Sequence, residues 1–129
     1  MDVTVHRPEH SAGCMRVSKI LSRIGDKWTV LVIMLLRDRS RRFSELKRGV
    51  EGISQRMLTL TLRNLERDGL VTRTVTPSIP PRVDYALTEL GRSLQCPIAA
   101  LQQWALDNVG AIHVAQARYD LAQEETKAA

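Results

Sequence analysis

With 129 residues, 43% of them apolar and 26% charged, the chain has the composition of one soluble globular domain. Aromatics make up only 4%, which argues against a stacking platform for single strands, and two cysteines are too few for a disulfide framework or a zinc finger. The net charge of +5 is concentrated: Arg37 to Arg82 holds eleven Lys/Arg against five Asp/Glu, while the rest holds eight against nine, a distribution that suits a polyanionic partner.

Residues 1–13 have no hydrophobic period and read as a flexible arm without the apolar core of a secretory signal. From Val17 the chain turns helical, with Val17, Ile20, Leu21 and Ile24 at i, i+3, i+4 and i+7. Gly25 ends that helix and Asp26 caps the next, whose core stripe is expected at Trp28, Leu31, Val32 and Leu35. Apolar on most sides, this second helix should be the central one. Its longest apolar run, Val30 to Leu36, is far too short to span a bilayer, so no membrane association and a cytoplasmic location are expected.

After a polar connection from Asp38 to Arg42, a short helix is expected over Ser44–Val50, capped by Ser44. Glu51-Gly52 makes a turn and Ser54 caps a second helix running to Asp68. Leu58, Leu62 and Leu65 form its core face, leaving Arg56, Thr59, Leu60, Arg63 and Arg67 on the far side. Leu70–Val75 and Val83–Leu87 alternate as half-buried strands around a tip stiffened by Pro77, Pro80 and Pro81. Thr88 caps a long helix carrying Leu90, Leu94, Ile98, Leu101, Trp104 and Val109, in which Pro97 should produce a kink or a restart. Beyond Gly110 a short helix, Ile112–Leu121, and a fraying tail are expected.

Two helices across a tight turn, followed by a β-hairpin, spell a helix-turn-helix with a wing, in a mainly α (α+β) chain. The second helix would enter the major groove on the support of the first. Gln55, Arg56, Thr59 and Arg63, with Ser54 at the helix start, would meet base edges or adjacent phosphates: Gln and Arg can pair with adenine and guanine, and Thr can touch a thymine methyl. Arg42, Lys47 and Arg67 are placed to clamp phosphates. Arg73 and Arg82 equip the wing for a minor groove, where the potential is most negative.

The runs Gly25-Asp26-Lys27-Trp28-Thr29, Arg42-Phe43-Ser44-Glu45-Leu46, Gly52-Ile53-Ser54-Gln55-Arg56-Met57-Leu58, Leu65-Glu66-Arg67-Asp68-Gly69-Leu70-Val71 and Tyr85-Ala86-Leu87-Thr88 resemble the HxlR family of bacterial winged-helix regulators, relatives of the MarR group. The likeness covers roughly residues 14–106, within a domain drawn over 14–110 and followed by a C-terminal helix and tail over 111–129. It implies a homodimer joined through the first and C-terminal helices, binding double-stranded DNA at a palindromic operator. Ile20, Leu94, Leu101 and Trp104 are the interface candidates.

Cys14, with Arg16 and Lys19 nearby, lies close to a helix N-terminus, a setting that favours thiolate and reaction with oxidants or electrophiles. The resemblance also places a sensing cysteine in this region, so a small-molecule or oxidant effector is expected; a passive thiol is the other reading. Cys96, between Leu94 and Ile98, reads as a small buried hydrophobe. His6, His10 and Cys14 have metal-ligand spacing, but Pro8 interrupts it and no metal or cofactor is expected. There is no phosphate loop, nucleophile elbow or metalloprotease helix, hence no enzyme reading. The remaining functional alternative is a winged helix serving as a protein–protein module. It would not require the basic excess to lie on the second helix and wing.

Overall fold

The computed structural model describes residues 12–128, which divide into two compact units, residues 12–95 and residues 96–128. The first carries α1 (Ala12–Ile24), α2 (Lys27–Leu35), β1 (Arg41–Arg42), α3 (Phe43–Gly49), α4 (Gln55–Arg67), β2 (Val71–Thr76), β3 (Arg82–Leu87) and α5 (Glu89–Arg92). The second is the helix α6, which begins at Gln95 and continues to Ala128. The three strands form one antiparallel sheet in the order β1-β3-β2.

The core of the first unit follows from apolar spacing. Val32 and Ile33 from α2 and Leu36 at its C-cap, Leu46 from α3 and Val50 at its C-cap, and Leu58, Leu62 and Leu65 from α4 are buried, and Leu70, Val71, Tyr85 and Leu87 close it from the sheet side. The leucine face expected on α4 is thus the buried one. On α2 the inward face is rotated: Thr29, Val32 and Ile33 are buried, whereas Trp28, Leu31 and Leu35 are half-buried. An all-round apolar helix offers no polar face by which its rotation could be read. Asp26 caps α2 as expected, its carboxylate accepting from the backbone N–H groups of Trp28 (3.1 Å) and Thr29 (3.2 Å).

Other boundaries move. The first helix starts at Ala12 rather than near Val17, so Ala12 and Gly13 are helical and Cys14 lies inside the first turn; residues 1–11, with His6 and His10, fall outside the described residues. The α3 cap is Arg42, not Ser44, because Glu45 reaches back to accept from the Arg42 backbone N–H at 2.9 Å. Of the two strands expected to be half-buried, β3 is so from Val83 to Leu87, whereas β2 is buried only at Val71 and exposed from Thr72 onward. Thr88 caps the single turn of α5, and the helix restarts at Gln95, placing Pro97 in the first turn of α6, where it removes no helical hydrogen bond. Gly110 does not interrupt α6, whose 34 residues make a rod of about 50 Å. Cys96 is exposed, not buried.

Candidate nucleic-acid interface

The turn between α3 and α4 is built by backbone hydrogen bonds. The Val50 N–H donates to the Leu46 carbonyl (3.0 Å) and the Ile53 N–H to that of Val50 (3.3 Å), while Val50 and Ile53 bury their side chains. Ser54 Oγ then accepts from the Met57 N–H at 3.0 Å and starts α4. At its other end α4 closes in a full Schellman arrangement. Gly69, at φ +78°, donates to the Glu66 carbonyl and Leu70 donates to that of Leu65, both at 3.0 Å. With both ends fixed and three leucines buried, α4 presents its outer face as a rigid surface.

On that face Gln55, Arg56, Arg63 and Arg67 are exposed and Thr59 is half-buried. The Thr59 hydroxyl donates to the Gln55 carbonyl at 2.9 Å, back within its own helix. Ser54 is exposed at the helix start, and Arg42 and Lys47 are exposed on and before α3. Arg73 and Arg82 are exposed on β2 and β3.

The hairpin runs in unbroken register from Val71↔Leu87 to Thr76↔Arg82, so residues 77–81 form its tip. There the Ser78 hydroxyl donates to the Pro80 carbonyl at 2.8 Å. Its base is locked by Thr88, whose N–H donates to the Leu70 carbonyl (3.1 Å) and whose hydroxyl donates to the Gly69 carbonyl (2.6 Å) while accepting from the Gly91 N–H (3.0 Å).

Ion pairing sorts the basic residues between Arg37 and Arg82 into two groups. Arg37 pairs with Asp38 (3.6 Å), Arg39 with Glu45 (2.9 Å) and Arg82 with Asp84 (3.0 Å), and Arg41 donates to the Leu35 carbonyl (2.6 Å). These four are engaged within the fold. Arg42, Lys47, Arg48, Arg56, Arg63, Arg67 and Arg73 have no carboxylate in ion-pairing range among the described residues, so their charge is available to an outside partner. Arg48 is the addition to the sequence-derived set; its signal was simply its place beside Lys47 on an exposed helix. Glu45 is held by the Arg39 guanidinium and by the Arg42 backbone N–H, which together bring its carboxyl down to about 2.

The family model for the HxlR-like helix-turn-helix matches residues 23–113, spanning both helices, the turn and the hairpin just described. The chain belongs to this family. An HTH-type transcriptional regulator of Methanothermobacter thermautotrophicus is 49% identical to the HxlR-like chain over 88 residues, covering 68% of this chain and 67% of the relative. The solved structure of the redox regulator HypR in its reduced form superposes with a TM-score of 0.71 at 39% identity, covering 77% of this chain and 98% of HypR. The reduced transcriptional regulator YodB of Bacillus subtilis superposes at 0.64 with 38% identity, covering 71% and 90%. The HxlR-like chain is therefore a helix-turn-helix transcriptional regulator with a winged-helix fold, α3 and α4 forming the helix pair and β2–β3 the wing.

Among the described residues, no helix of this HxlR-like regulator is long and apolar enough to cross a membrane, and no group of three His, Cys, Asp or Glu side chains is placed to hold a metal. Cys14 is half-buried in the first turn of α1. Of the residues expected at a dimer interface, Ile20, Leu101 and Trp104 expose between 58% and 66% of their surface, and Leu94 is half-buried.

Proposed function

We propose that the protein is a cytoplasmic, homodimeric repressor that reads a palindromic operator with α4 and answers to oxidants or electrophiles at Cys14. The observation that carries the DNA reading is the unpaired basic surface on α3, α4 and β2, beside arginines engaged internally. Gln55, Arg56, Thr59 and Arg63 read base edges; Ser54, Arg42, Lys47, Arg48 and Arg67 hold the backbone. Arg73 and Arg82 serve the wing, and Arg82 keeps its orientation through the Nε contact to Asp84.

A single α4 covers too few base pairs for a unique address, and a two-fold pair would read two half-sites about one helical turn apart. The exposed Ile20, Leu101 and Trp104 supply the apolar surface such a pair would bury. The redox reading draws on Cys14 at the start of a helix and on two relatives: HypR has been solved in reduced and oxidised forms, and YodB in reduced and diamide-treated forms.

Duplex binding measured against salt tests the DNA reading. Affinity should fall steeply and linearly on logarithmic axes as phosphate contacts release counterions, and a flat response would sink it. Diamide treatment of wild type and Cys14→Ser tests the redox reading: operator affinity should change only in the wild type, and identical responses would remove Cys14 from the mechanism.

A further inference from the structure

The outer ridge of α4 is basic except at one position. Arg56, Leu60, Arg63 and Arg67 follow one another at intervals of four, three and four residues, so they share one stripe of the helix. The three arginines are exposed and have no ion pair among the described residues. Leu60 stands between two of them with 46% of its surface exposed, while Leu58, Leu62 and Leu65 of the same helix are buried. The core face of α4 is thus supplied by other leucines, and Leu60 belongs to the face turned outward. A single exposed leucine is ordinary on a protein surface. One set among these guanidinium groups is different, because whatever they bind must also meet an apolar side chain. Of the groups that base pairs present in the major groove, only the C5-methyl of thymine is apolar. The others are hydrogen-bond donors and acceptors that a leucine would cover without satisfying, at a cost in free energy.

We infer that Leu60 is a specificity-determining residue of this face, packing its side chain on a thymine methyl between the base pairs met by Arg56 and Arg63. The inference rests on the DNA reading proposed above and adds to it a position read by apolar contact alone. It also sets what that position tolerates. Any pyrimidine carrying a C5-methyl group satisfies Leu60, so 5-methylcytosine is accepted where unmethylated cytosine is not. Thr59, the neighbouring residue, is the other side chain on this face with a methyl to offer, since its hydroxyl already donates to the Gln55 carbonyl. It is half-buried, however, and Leu60 is the more exposed of the two.

Selection of bound duplexes from a random pool by the full chain supplies the operator, and base substitutions within it supply the test. Replacing each thymine in turn by deoxyuridine removes the methyl and leaves every hydrogen-bonding group in place. At one position per half-site this should weaken wild-type binding by roughly three- to tenfold, the range for one buried methyl group. Leu60→Ala should bind the thymine and uracil duplexes alike, at about the affinity of wild type for the uracil duplex. Leu60→Gln, similar in length and helix propensity, should be equally blind to the methyl. Thr59→Ser, which removes the other methyl, should leave the penalty in place. With a G·C pair at that position, 5-methylcytosine should bind more tightly than cytosine in wild type and not in Leu60→Ala. Uracil substitutions without effect, a Leu60→Ala variant that keeps the wild-type penalty, or a penalty that vanishes in Thr59→Ser would each overturn the inference and leave the DNA reading standing. A pool from which no sequence is enriched would remove the DNA reading itself, and the role of Leu60 with it.

Discussion

Arg23 Nε meets Asp68 Oδ2 at 2.8 Å, joining the last turn of α1 to the residue that caps the C-terminus of α4. Both side chains are about one-third exposed, so the pair works mainly as a geometric link rather than as a large source of stability. Asp68→Asn should cost under about 1 kcal/mol in urea unfolding, a difference that shrinks at high salt. A loss of several kcal/mol, unaffected by salt, would mean that Asp68 acts through something other than this pair.

Arg56 and Arg63 are exposed and have no ion pair among the described residues, so their removal should leave the fold intact and strike only DNA binding. Arg56→Ala and Arg63→Ala should each weaken operator affinity by about 1–3 kcal/mol while circular dichroism and melting temperature stay at wild-type values. If either base contact is real, the loss should also relax preference at one operator position, which a panel of single-base variants would reveal.

Gly91 lies so close to the Leu70 carbonyl oxygen that an added Cβ would collide with backbone. Gly91→Ala should therefore destabilise the domain by roughly 1–3 kcal/mol through overpacking, where an exposed helical Gly→Ala change would ordinarily stabilise. Thermal or urea melts decide the sign directly.

The Glu45 carboxyl lies near 2 instead of its ordinary 4.5, first because it accepts from the Arg39 side chain and then because it accepts from the Arg42 N–H. A lowered folded-state value means that its contribution is complete above about pH 4.5 and is lost as the pH falls toward 2. Wild type should thus lose stability across that window relative to Glu45→Gln. At neutral pH the variant should be the less stable of the two, since an amide caps α3 without the ionic contact. Parallel acid titrations of the two proteins would show the curves converging below pH 2.

The helix pair was legible because its punctuation is local: Ser54 at a cap, Gly69 just past a helix end and three leucines at helical spacing each dictate a conformation within a few residues. Other features escaped for identifiable reasons. The Arg42 cap works through its backbone N–H and Glu45, so the Ser, Thr, Asp or Asn side chain that marks most caps is absent. Gly110 suggested a break, yet a lone glycine costs a helix only about 1 kcal/mol, which a 34-residue run can absorb. That Arg56, Arg63 and Arg67 would be exposed was readable from the leucine spacing of α4. What the sequence could not show was which arginines are engaged internally, because Asp84 and Arg82 are separated only by Val83 and either could have faced elsewhere.

Thr88 gathers the two ends of the hairpin at neighbouring carbonyls, those of Gly69 and Leu70, and everything beyond Thr72 on β2 stands clear of the core. The wing is thus a module with a fixed socket. Its tip can be lengthened, shortened or exchanged for that of another family member without disturbing α4. Residues 77–81 are where a designer would transplant a new specificity, and where natural variation in operator preference could accumulate at little cost to folding.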